Sequence, residues 1–347
     1  MRHETSDLAR ILLEHGADPN SKSQKGETPL HMLFRNRERT FSYLFPRRRL
    51  HAYIPFQDFA QLLLNHGADV NSQDKAHVTP LHWAMRHTTS DVARILLEHG
   101  ADPNSKSQDG ETPLHILLGS RDWRDYAAVD HAVLQLLLNH DADVNAQCKR
   151  LRTPLHLASH LGRSAIAQVL LDHGAKPNVE DDHGKTPLHL VSQGRGYSNE
   201  QSARDAQLLI ARGADVNARD MVRRTPLHYA SHNGIHAIIQ VLLEHGGNPN
   251  VGDKNDQTPL HLAVQLNDTF NAYFSPSVGI ARLLLKHGAD VDAQDDDHVS
   301  PLELSTRCER KDPEIIKLLR EHSANVFCIC NMWMLTRYCR ETKEKVT

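Results

Sequence analysis

Histidine is the residue type that most suggests metal binding or acid–base chemistry here, because 25 of the 347 residues are histidine. Fifteen of them recur in only two settings. Seven follow Thr-Pro-Leu: His31, His82, His115, His156, His189, His228 and His261. Eight stand directly before Gly-Ala-Asp or a variant of it: His15, His66, His99, His140, His173, His245, His287 and His322. A setting that recurs along the whole chain indicates a structural role rather than one catalytic or metal site.

Two stretches come within one residue of a phosphate-binding loop. They are Gly16–Ser23 (GADPNSKS) and its near copy Gly100–Ser107, in which Ser21 or Ser105 takes the place of the second glycine. A phosphate-binding loop joins a strand to a helix, whereas the pattern here predicts a helix before each stretch. No nucleotide cofactor is therefore expected.

Cysteine and carboxylate patterns are equally weak. Cys328 and Cys330, together with Cys339, lack a fourth ligand at zinc spacing and are interpreted as part of an apolar tail. No Ser-His-Asp set or carboxylate pair stands out from the repeated motifs. We expect no catalytic residue, cofactor, metal site or small-molecule substrate, so the chain is predicted not to be an enzyme.

Composition points to a protein without one large core. Apolar residues make up 39% and aromatic residues 5% of the chain, and 40 Lys and Arg nearly balance 43 Asp and Glu. The charge balance favours neither nucleic acid nor membrane as a partner. The polar amino terminus does not resemble a signal peptide, and no apolar run approaches the ~20 residues of a membrane span. Five irregularly spaced cysteines favour reduced thiols and a cytoplasmic or nuclear protein.

A repeat dominates the chain. Thr-Pro-Leu-His begins at Thr28, Thr79, Thr112, Thr153, Thr186, Thr225 and Thr258, and a degenerate Ser-Pro-Leu-Glu begins at Ser300. The intervals between these starts are 51, 33, 41, 33, 39, 33 and 42 residues. Such self-similarity is typical of stacked repeats, in which no unit can bury its apolar face alone.

Each unit is predicted to be two short helices and a turn. In the fourth unit, Thr153 suits a helix N-cap and Pro154 the first helical position, where no N–H is lost. Gly162 ends the first helix, and Gly174 ends the second as a left-handed C′ residue.

The joining of Thr-Pro-Leu-His to a later Gly-Ala-Asp at a period of 33 residues resembles the ankyrin-repeat family over about residues 6–325. The resemblance implies an all-α repeat solenoid of stacked helix-turn-helix units with short hairpin fingers, forming a curved elongated array. First helices would line the concave face, and the Thr-Pro-Leu-His histidines would tie adjacent turns together by hydrogen bonds. Helices packed ~10 Å apart would give a stack of ~80 Å. The predicted organisation is a partial repeat at 1–27, eight repeats at 28–325 and a cap or tail at 326–347.

Several units depart from the family pattern. Two positions before each Thr-Pro the family favours glycine, and only Gly26, Gly110 and Gly184 comply. His77, Asp256 and His298 can tolerate a left-handed backbone there. At Leu151 and Arg223 we expect either strain or a finger of different shape. Asp141 and Ser323 likewise replace the glycine after the second helix.

The residues 2–33 and 86–117 are identical at 28 of 32 positions and then diverge. The duplicated unit is a pair of repeats, because the offset of 84 is the sum of the 51- and 33-residue intervals. Alternate repeats therefore carry inserts, expected between the first and second helices: 35–56, 119–130, 193–204 and 266–278. The scaffold stayed constant while the inserts changed, as expected for loops at an edge.

Eleven of the 18 aromatic residues lie in these inserts. Because tyrosine, tryptophan and arginine are enriched among interface hot spots, we hypothesise that the inserts form a protein-binding row spaced ~20 Å apart along one edge. The alternative is that the aromatic residues only anchor each loop to its own repeat. The candidate binding residues are Phe41, Tyr43, Phe45, Arg47, Arg48, Arg49, Trp123, Arg124, Tyr126, Tyr197, Phe270, Tyr273 and Phe274.

The predicted function is a monomeric, non-catalytic scaffold or adaptor that binds a protein of unknown identity. One alternative is the substrate-recognition arm of a larger enzyme or receptor, such as a ubiquitin ligase, kinase or nucleotide-driven receptor. A lesser one is nucleic-acid or acidic-partner binding through the insert 35–56, which has six arginines and one glutamate.

Both ends raise further expectations. The chain starts in the middle of a unit, which leaves Leu8, Ile11 and Leu12 without a preceding helix; we infer an incomplete chain or a frayed first helix. The apolar segment 326–335 is expected to cap the last repeat through Phe327, Ile329 and Trp333, with an adaptor tail that docks another protein as the alternative.

Overall fold

The computed structural model describes residues 10–35, 56–86, 90–119, 127–194, 198–266, 276–307 and 312–323. The described part of the chain contains helices and turns and no strand. The predicted all-helical repeat architecture is thus confirmed. In chain order the helices are α1 (10–14), α2 (Pro29–Arg35), α3 (Phe56–Asn65), α4 (Pro80–Arg86), α5 (Ser90–Glu98), α6 (Pro113–Gly119), α7 (Ala127–Asn139), α8 (Pro154–His160), α9 (Ser164–Asp172), α10 (Pro187–Ser192), α11 (Asn199–Ala211), α12 (Pro226–His232), α13 (His236–Glu244), α14 (Pro259–Gln265), α15 (Pro276–Lys286), α16 (Pro301–Arg307) and α17 (313–323).

Each first helix begins at the proline of the repeated motif. Thr225, just before α12, has an extended backbone (φ −92°, ψ 166°), and Pro226 occupies the first helical position. Proline is favoured there because its fixed φ suits a helix and the N–H that it lacks has no intrahelical partner. The short helix then buries Leu227 and Ala230.

Each second helix adds its own apolar face to the core of its repeat. In α13, Ile238, Ile239 and Leu242 are completely buried. Truncating a buried leucine or isoleucine of this kind to alanine costs about 2–5 kcal/mol. The helix stops at Gly246, whose φ of 85° lies in the left-handed region. The N–H of Gly247 then donates to the carbonyl of Leu242 at 2.8 Å, which satisfies an orphan carbonyl of the last turn.

The chain divides into two compact units. Unit 1 comprises Met1–Ala158 and Ala165–Lys176, and unit 2 comprises Ser159–Ser164 and Pro177–Thr347. Within unit 1, the first helices α2, α4 and α6 pack in sequence, as do the second helices α3, α5 and α7. Within unit 2, α10, α12, α14 and α16 pack in sequence beside α11, α13 and α15. Each helix therefore packs against its nearest neighbours, which is the arrangement of a repeat protein.

Two apolar side chains of α1 are exposed among the described residues. Ile11 is 50% and Leu12 is 53% exposed, whereas Leu96, which corresponds to Leu12 in the duplicated stretch, is completely buried. Leu8 and the segment 326–347 lie outside the described residues.

The fingers are the turns that precede each Thr-Pro, and they keep one shape even where glycine is replaced. Leu151 has φ 52° and Arg223 has φ 60°, close to the φ of 73° at Gly184. The N–H of Leu151 donates to the carbonyl of Cys148 at 2.9 Å, and Gly184 makes the equivalent bond to Asp181 at 2.9 Å. Of the two expected outcomes the structure shows the strained backbone, because the turn hydrogen bond and the next finger hold the conformation. His77, Asp256 and His298 are left-handed as predicted.

Asp141 also adopts the left-handed backbone of the glycine that it replaces, with φ 62°. A Cβ atom added at the equivalent Gly100 or Gly174 would have no atom within 4 Å. An aspartate side chain therefore fits at this position, and only the backbone strain opposes it.

Candidate functional site

The motif histidines link each repeat to the next one. The N–H and hydroxyl of Thr225 both lie within hydrogen-bond distance of His228 Nδ1, at 3.0 and 2.8 Å. His228 Nε2 donates to the carbonyl of Gln257 in the following repeat at 3.1 Å. Because a carbonyl can only accept and a backbone N–H can only donate, the neutral ring with hydrogen on Nε2 fits this arrangement. Equivalent inter-repeat bonds join His31 to Val78, His82 to Glu111, His115 to Arg152, His189 to Arg224 and His261 to Val299.

These six histidines form what we call the histidine ladder, and burial lowers the pKa of each ring below its ordinary value. The effect brings the pKa of His228 to about 4. A second proton on Nδ1 would face the threonine N–H, so protonation and the observed bonding are incompatible. The ladder histidines are structural, and acid–base catalysis is not favoured at these positions.

A second ladder runs through the asparagine that follows each second helix. Asn104 Nδ2 donates to the carbonyl of Asp141 at 2.9 Å, and the N–H of Asp143 donates to Asn104 Oδ1 at 2.7 Å. One side chain therefore makes two hydrogen bonds to the next repeat. The same two bonds to the following repeat are made by Asn20, Asn71, Asn145, Asn178, Asn217 and Asn250.

Both ladders are the same whether or not an insert intervenes. His82 and its carbonyl acceptor are 29 residues apart in sequence with no insert between them, and the bond is 2.9 Å. His31 and its acceptor are 47 residues apart across the first insert, and the bond is again 2.9 Å. The inter-repeat contacts of the described scaffold therefore do not change with the length of the insert.

The histidines that precede Gly-Ala-Asp lie at the ends of second helices, as predicted. The ring Nδ1 of His245 is 2.8 Å from the carbonyl of Val241, one turn back. A donor at a helix C-terminus satisfies one of the carbonyls that has no intrahelical partner. The same contact occurs at His15, His66, His99, His173 and His322.

All thirteen predicted binding residues in the inserts lie outside the described residues. They are Phe41, Tyr43, Phe45, Arg47, Arg48, Arg49, Trp123, Arg124, Tyr126, Tyr197, Phe270, Tyr273 and Phe274. The structure places the ends of the inserts between α2 and α3, α6 and α7, α10 and α11, and α14 and α15. Parts of three inserts are helical: 127–130 begins α7, 199–204 forms the first turns of α11 with Ser198 as its N-cap, and 276–278 begins α15. The expectation that the whole insert precedes the second helix was wrong at these ends.

Unit 1 contains a cavity that the sequence did not reveal. It has a volume of about 150 Å³ and lies between two fingers and the first helices α4 and α6. Its apolar walls include Val78, Trp83 and Ile116, and its polar rim includes Arg86 and Glu111. A space of this size accommodates a group about as large as benzene. The cavity can therefore receive a single side chain of a partner.

The polar rim of the cavity has both signs of charge. The Arg86 guanidinium lies 5.2 Å from the centre of the Trp83 ring, within the range of a cation–π contact. Burial raises the pKa of the Glu111 carboxyl, and Asp109 raises it further, while Arg86 and Arg150 lower it. Trp83 lies inside the scaffold helix α4. The only sequence signal for this cavity was that a large residue directly follows Thr-Pro-Leu-His.

The corresponding position in unit 2 is closed by contacts within the protein. The Tyr229 hydroxyl donates to Asp220 Oδ2 at 2.6 Å, and Lys185 Nζ lies 4.6 Å from the centre of the tyrosine ring. Burial raises the pKa of Tyr229, with the bond to Asp220 adding to the rise. The nearby Arg224 pairs with the buried Asp253 at 2.9 Å. These side chains stabilise neighbouring fingers of unit 2.

The described residues contain no group of three or more His, Cys, Asp or Glu side chains that could hold a metal ion. None of the helices in that part of the chain is long and apolar enough to cross a membrane. A search of curated proteins found no significant match. The family model for ankyrin repeats matches residues 50–122, 125–220 and 197–295, which together cover more than half of the chain. The ladders, the left-handed fingers and this match agree, and the chain belongs to the ankyrin-repeat family.

Proposed function

We propose that this protein is a non-catalytic scaffold or adaptor that binds a protein partner through the inserts of its alternate repeats. Ankyrin repeats are generally modules of protein–protein interaction. The observation that carries the proposal is that the two ladders have the same geometry across repeats with and without inserts. Residues that the scaffold does not need for its inter-repeat bonds are free to be used in recognition.

The composition of the inserts supports a binding role. They contain eleven of the 18 aromatic residues in a chain that is otherwise poor in them. Tyrosine, tryptophan and arginine bury a large area and lose little conformational entropy on binding, so a few of them can supply most of the affinity. Two inserts leave the helices of unit 1 and two leave those of unit 2. The mechanism is a preformed surface with aromatic and arginine anchors and no chemical step.

The proposal is tested by replacing Tyr43, Trp123 and Tyr273 together with alanine. The intact chain and the variant are compared by quantitative capture of interacting proteins, with the fold checked by circular dichroism. We expect the specific interactors to fall by about tenfold or more, since each hot-spot truncation costs about 2 kcal/mol. A matched control replaces Met221, which is 70% exposed on a finger, and should leave capture unchanged. Equal recovery by the wild type and the triple variant would rule out the insert row as the binding surface.

A further inference from the structure

The tips of the unit 1 fingers carry a concentration of positive charge. Five exposed cations belong to this surface, which we call the fingertip surface: Lys25, Lys75, Lys106, Lys149 and Arg150. Within the part of the chain that the structure describes, none of the five has an ion-pair partner. The surface therefore has unpaired positive charge available to an external group.

Backbone hydrogen bonds join the fingertips into one continuous edge. The N–H of Lys75 donates to the carbonyl of Lys25 at 3.0 Å, which places two lysines of successive fingers side by side. The N–H of Gln108 donates to Ala76 at 2.8 Å, and the N–H of Lys149 donates to Asp109 at 2.9 Å. Like charges held side by side repel each other, and an anionic partner would relieve that repulsion.

The Trp83 cavity lies directly beside this edge. Ala76 and Gln108, which are joined by one of the backbone bonds above, both line the cavity. Arg150 of the fingertip surface also acts on Glu111 in the cavity rim, where it lowers the pKa of the carboxyl. A chain that crosses the fingertips can therefore place one side chain against Trp83 and Ile116.

The fingers of unit 2 serve as an internal comparison. Their backbone bonds join His183 to Met221, Val222 to Lys254 and Asn255 to Asp296. Two exposed arginines there are held by contacts within the protein, since Arg223 pairs with Asp256 and Arg219 donates to the carbonyl of Gly252. Lys254 is the single lysine in the joined pairs, and Asp296 and Asp297 are also exposed on these fingers. The difference between the units is therefore that the described cations of the fingertip surface in unit 1 lack an ion-pair partner.

We propose that the fingertip surface and the Trp83 cavity together bind an extended acidic segment of a partner protein. Carboxylates of the segment pair with the fingertip cations, and one apolar side chain enters the cavity. This inference goes beyond the proposed function, since it names a second surface and the chemistry of the protein segment that it binds. A peptide fits better than a nucleic acid, because Asp109 and Glu111 lie in the path and would repel a continuous line of phosphates. A peptide can place its apolar residue at that point.

The test measures the fluorescence anisotropy of labelled peptides with the full chain. The probe peptide has four glutamates on each side of one phenylalanine, and the comparison peptides replace the phenylalanine with serine or every glutamate with lysine. We expect saturable binding of the probe, weaker binding by about fivefold or more for the serine peptide, and none for the lysine peptide. Raising the salt concentration should weaken binding of the probe, since the charged pairs are exposed.

Variants assign the binding to the two parts of the site. Replacing Lys25, Lys75 and Lys149 with alanine should weaken binding of the probe peptide by about tenfold. Lys254→Ala in unit 2 should leave the affinity for the probe unchanged. Trp83→Ala should abolish the difference between the phenylalanine and serine peptides. All substituted lysines are exposed, so the variants should keep the wild-type thermal unfolding temperature.

Three results would overturn the inference: no binding of the probe, equal binding by the fingertip variant, or tighter binding of a single-stranded oligonucleotide of twelve nucleotides. The insert variant Tyr43→Ala, Trp123→Ala, Tyr273→Ala separates this inference from the proposed function. If the insert variant binds the probe normally and also captures all specific interactors, the insert hypothesis fails and the fingertip site stands. If the probe does not bind the wild-type protein and the insert variant loses its interactors, the fingertip site fails and the insert hypothesis stands.

Discussion

Mild acid should unfold this protein, and the histidine ladder should be the main cause. In the unfolded chain each ladder histidine has its ordinary pKa of 6.5, and in the folded chain burial lowers the pKa, to about 4 for His228. The folded state therefore binds fewer protons than the unfolded state between these values. The stability contributed by the neutral rings is fully present above pH 6.5 and is lost as the pH falls through the folded pKa.

The size of the effect follows from the shift. A difference of about 2.5 pKa units at His228 corresponds to about 3 kcal/mol once the pH is below 4. Between the unfolded and folded pKa values each such histidine can lower the free energy of unfolding by up to about 1.4 kcal/mol per pH unit. A domain is stable by only about 5–15 kcal/mol. The loss at His228, together with losses in the same direction at the other five ladder histidines, should therefore destabilise the protein enough to unfold it in mild acid.

Carboxyl groups with raised pKa values change the stability in the opposite direction as the pH falls. Burial raises the pKa of Glu111 and of Asp205. These carboxyls bind a proton more readily in the folded protein than in the unfolded chain. The cost of burying their charge therefore disappears as the pH falls toward the ordinary pKa of a carboxyl group. This relief begins at the raised folded pKa values and so opposes part of the histidine effect, but two carboxyls act against six histidines, and stability should still fall between pH 6.5 and about 4.5.

The assay is urea unfolding followed by far-ultraviolet circular dichroism at pH 7.5, 6.5, 5.5 and 4.5. His228→Gln removes one titrating ring, so we expect lower stability at pH 7.5 and a shallower loss with acid. Met221→Ala, at an exposed finger position without a titratable group, is the control and should keep the wild-type pH dependence. An unchanged pH dependence in His228→Gln would refute the reasoning.

Five further substitutions test three local features of the scaffold. Ser192→Ala and Ser231→Ala should each raise the free energy of unfolding by about 1 kcal/mol, because each buried hydroxyl has no hydrogen-bond partner among the described residues; urea midpoints measure the gain. Leu151→Gly and Arg223→Gly should each stabilise by about 0.5–1 kcal/mol by relieving a left-handed backbone, and a lower melting temperature would contradict the strain. Asp205→Asn should stabilise the chain at pH 7, with a gain that shrinks as the pH falls, since burial raises the pKa of that carboxyl; a pH-independent change would indicate packing instead.

The helices and turns could be predicted because their signals lie within each unit. Pro226 begins a helix because its fixed φ suits the first helical position, and Gly246 ends one because glycine readily adopts a left-handed backbone. The start of α11 inside an insert could also have been predicted, since Ser198 and Gln201 have the spacing of a capping box. The left-handed backbone at Leu151 was uncertain because local strain opposes it and only the neighbouring contacts decide the outcome.

The cavity and the fingertip surface could not be predicted in the same way. Trp83 and Glu111 belong to different repeats and meet only when the repeats stack. The pairing of Lys25 with Lys75 likewise depends on a backbone bond between fingers 50 residues apart. No pattern within one repeat contains such information.

The central claim is that the ladders hold the repeats together without help from the inserts. The most direct test is the free energy of urea unfolding of a chain whose four inserts are trimmed to the standard 33-residue spacing. Shorter loops change closure entropy by only about 0.6 kcal/mol per halving of length, so we predict one cooperative transition with a free energy within about 2 kcal/mol of the wild-type value. Loss of cooperativity, or a much larger decrease in stability, would show that the inserts belong to the scaffold.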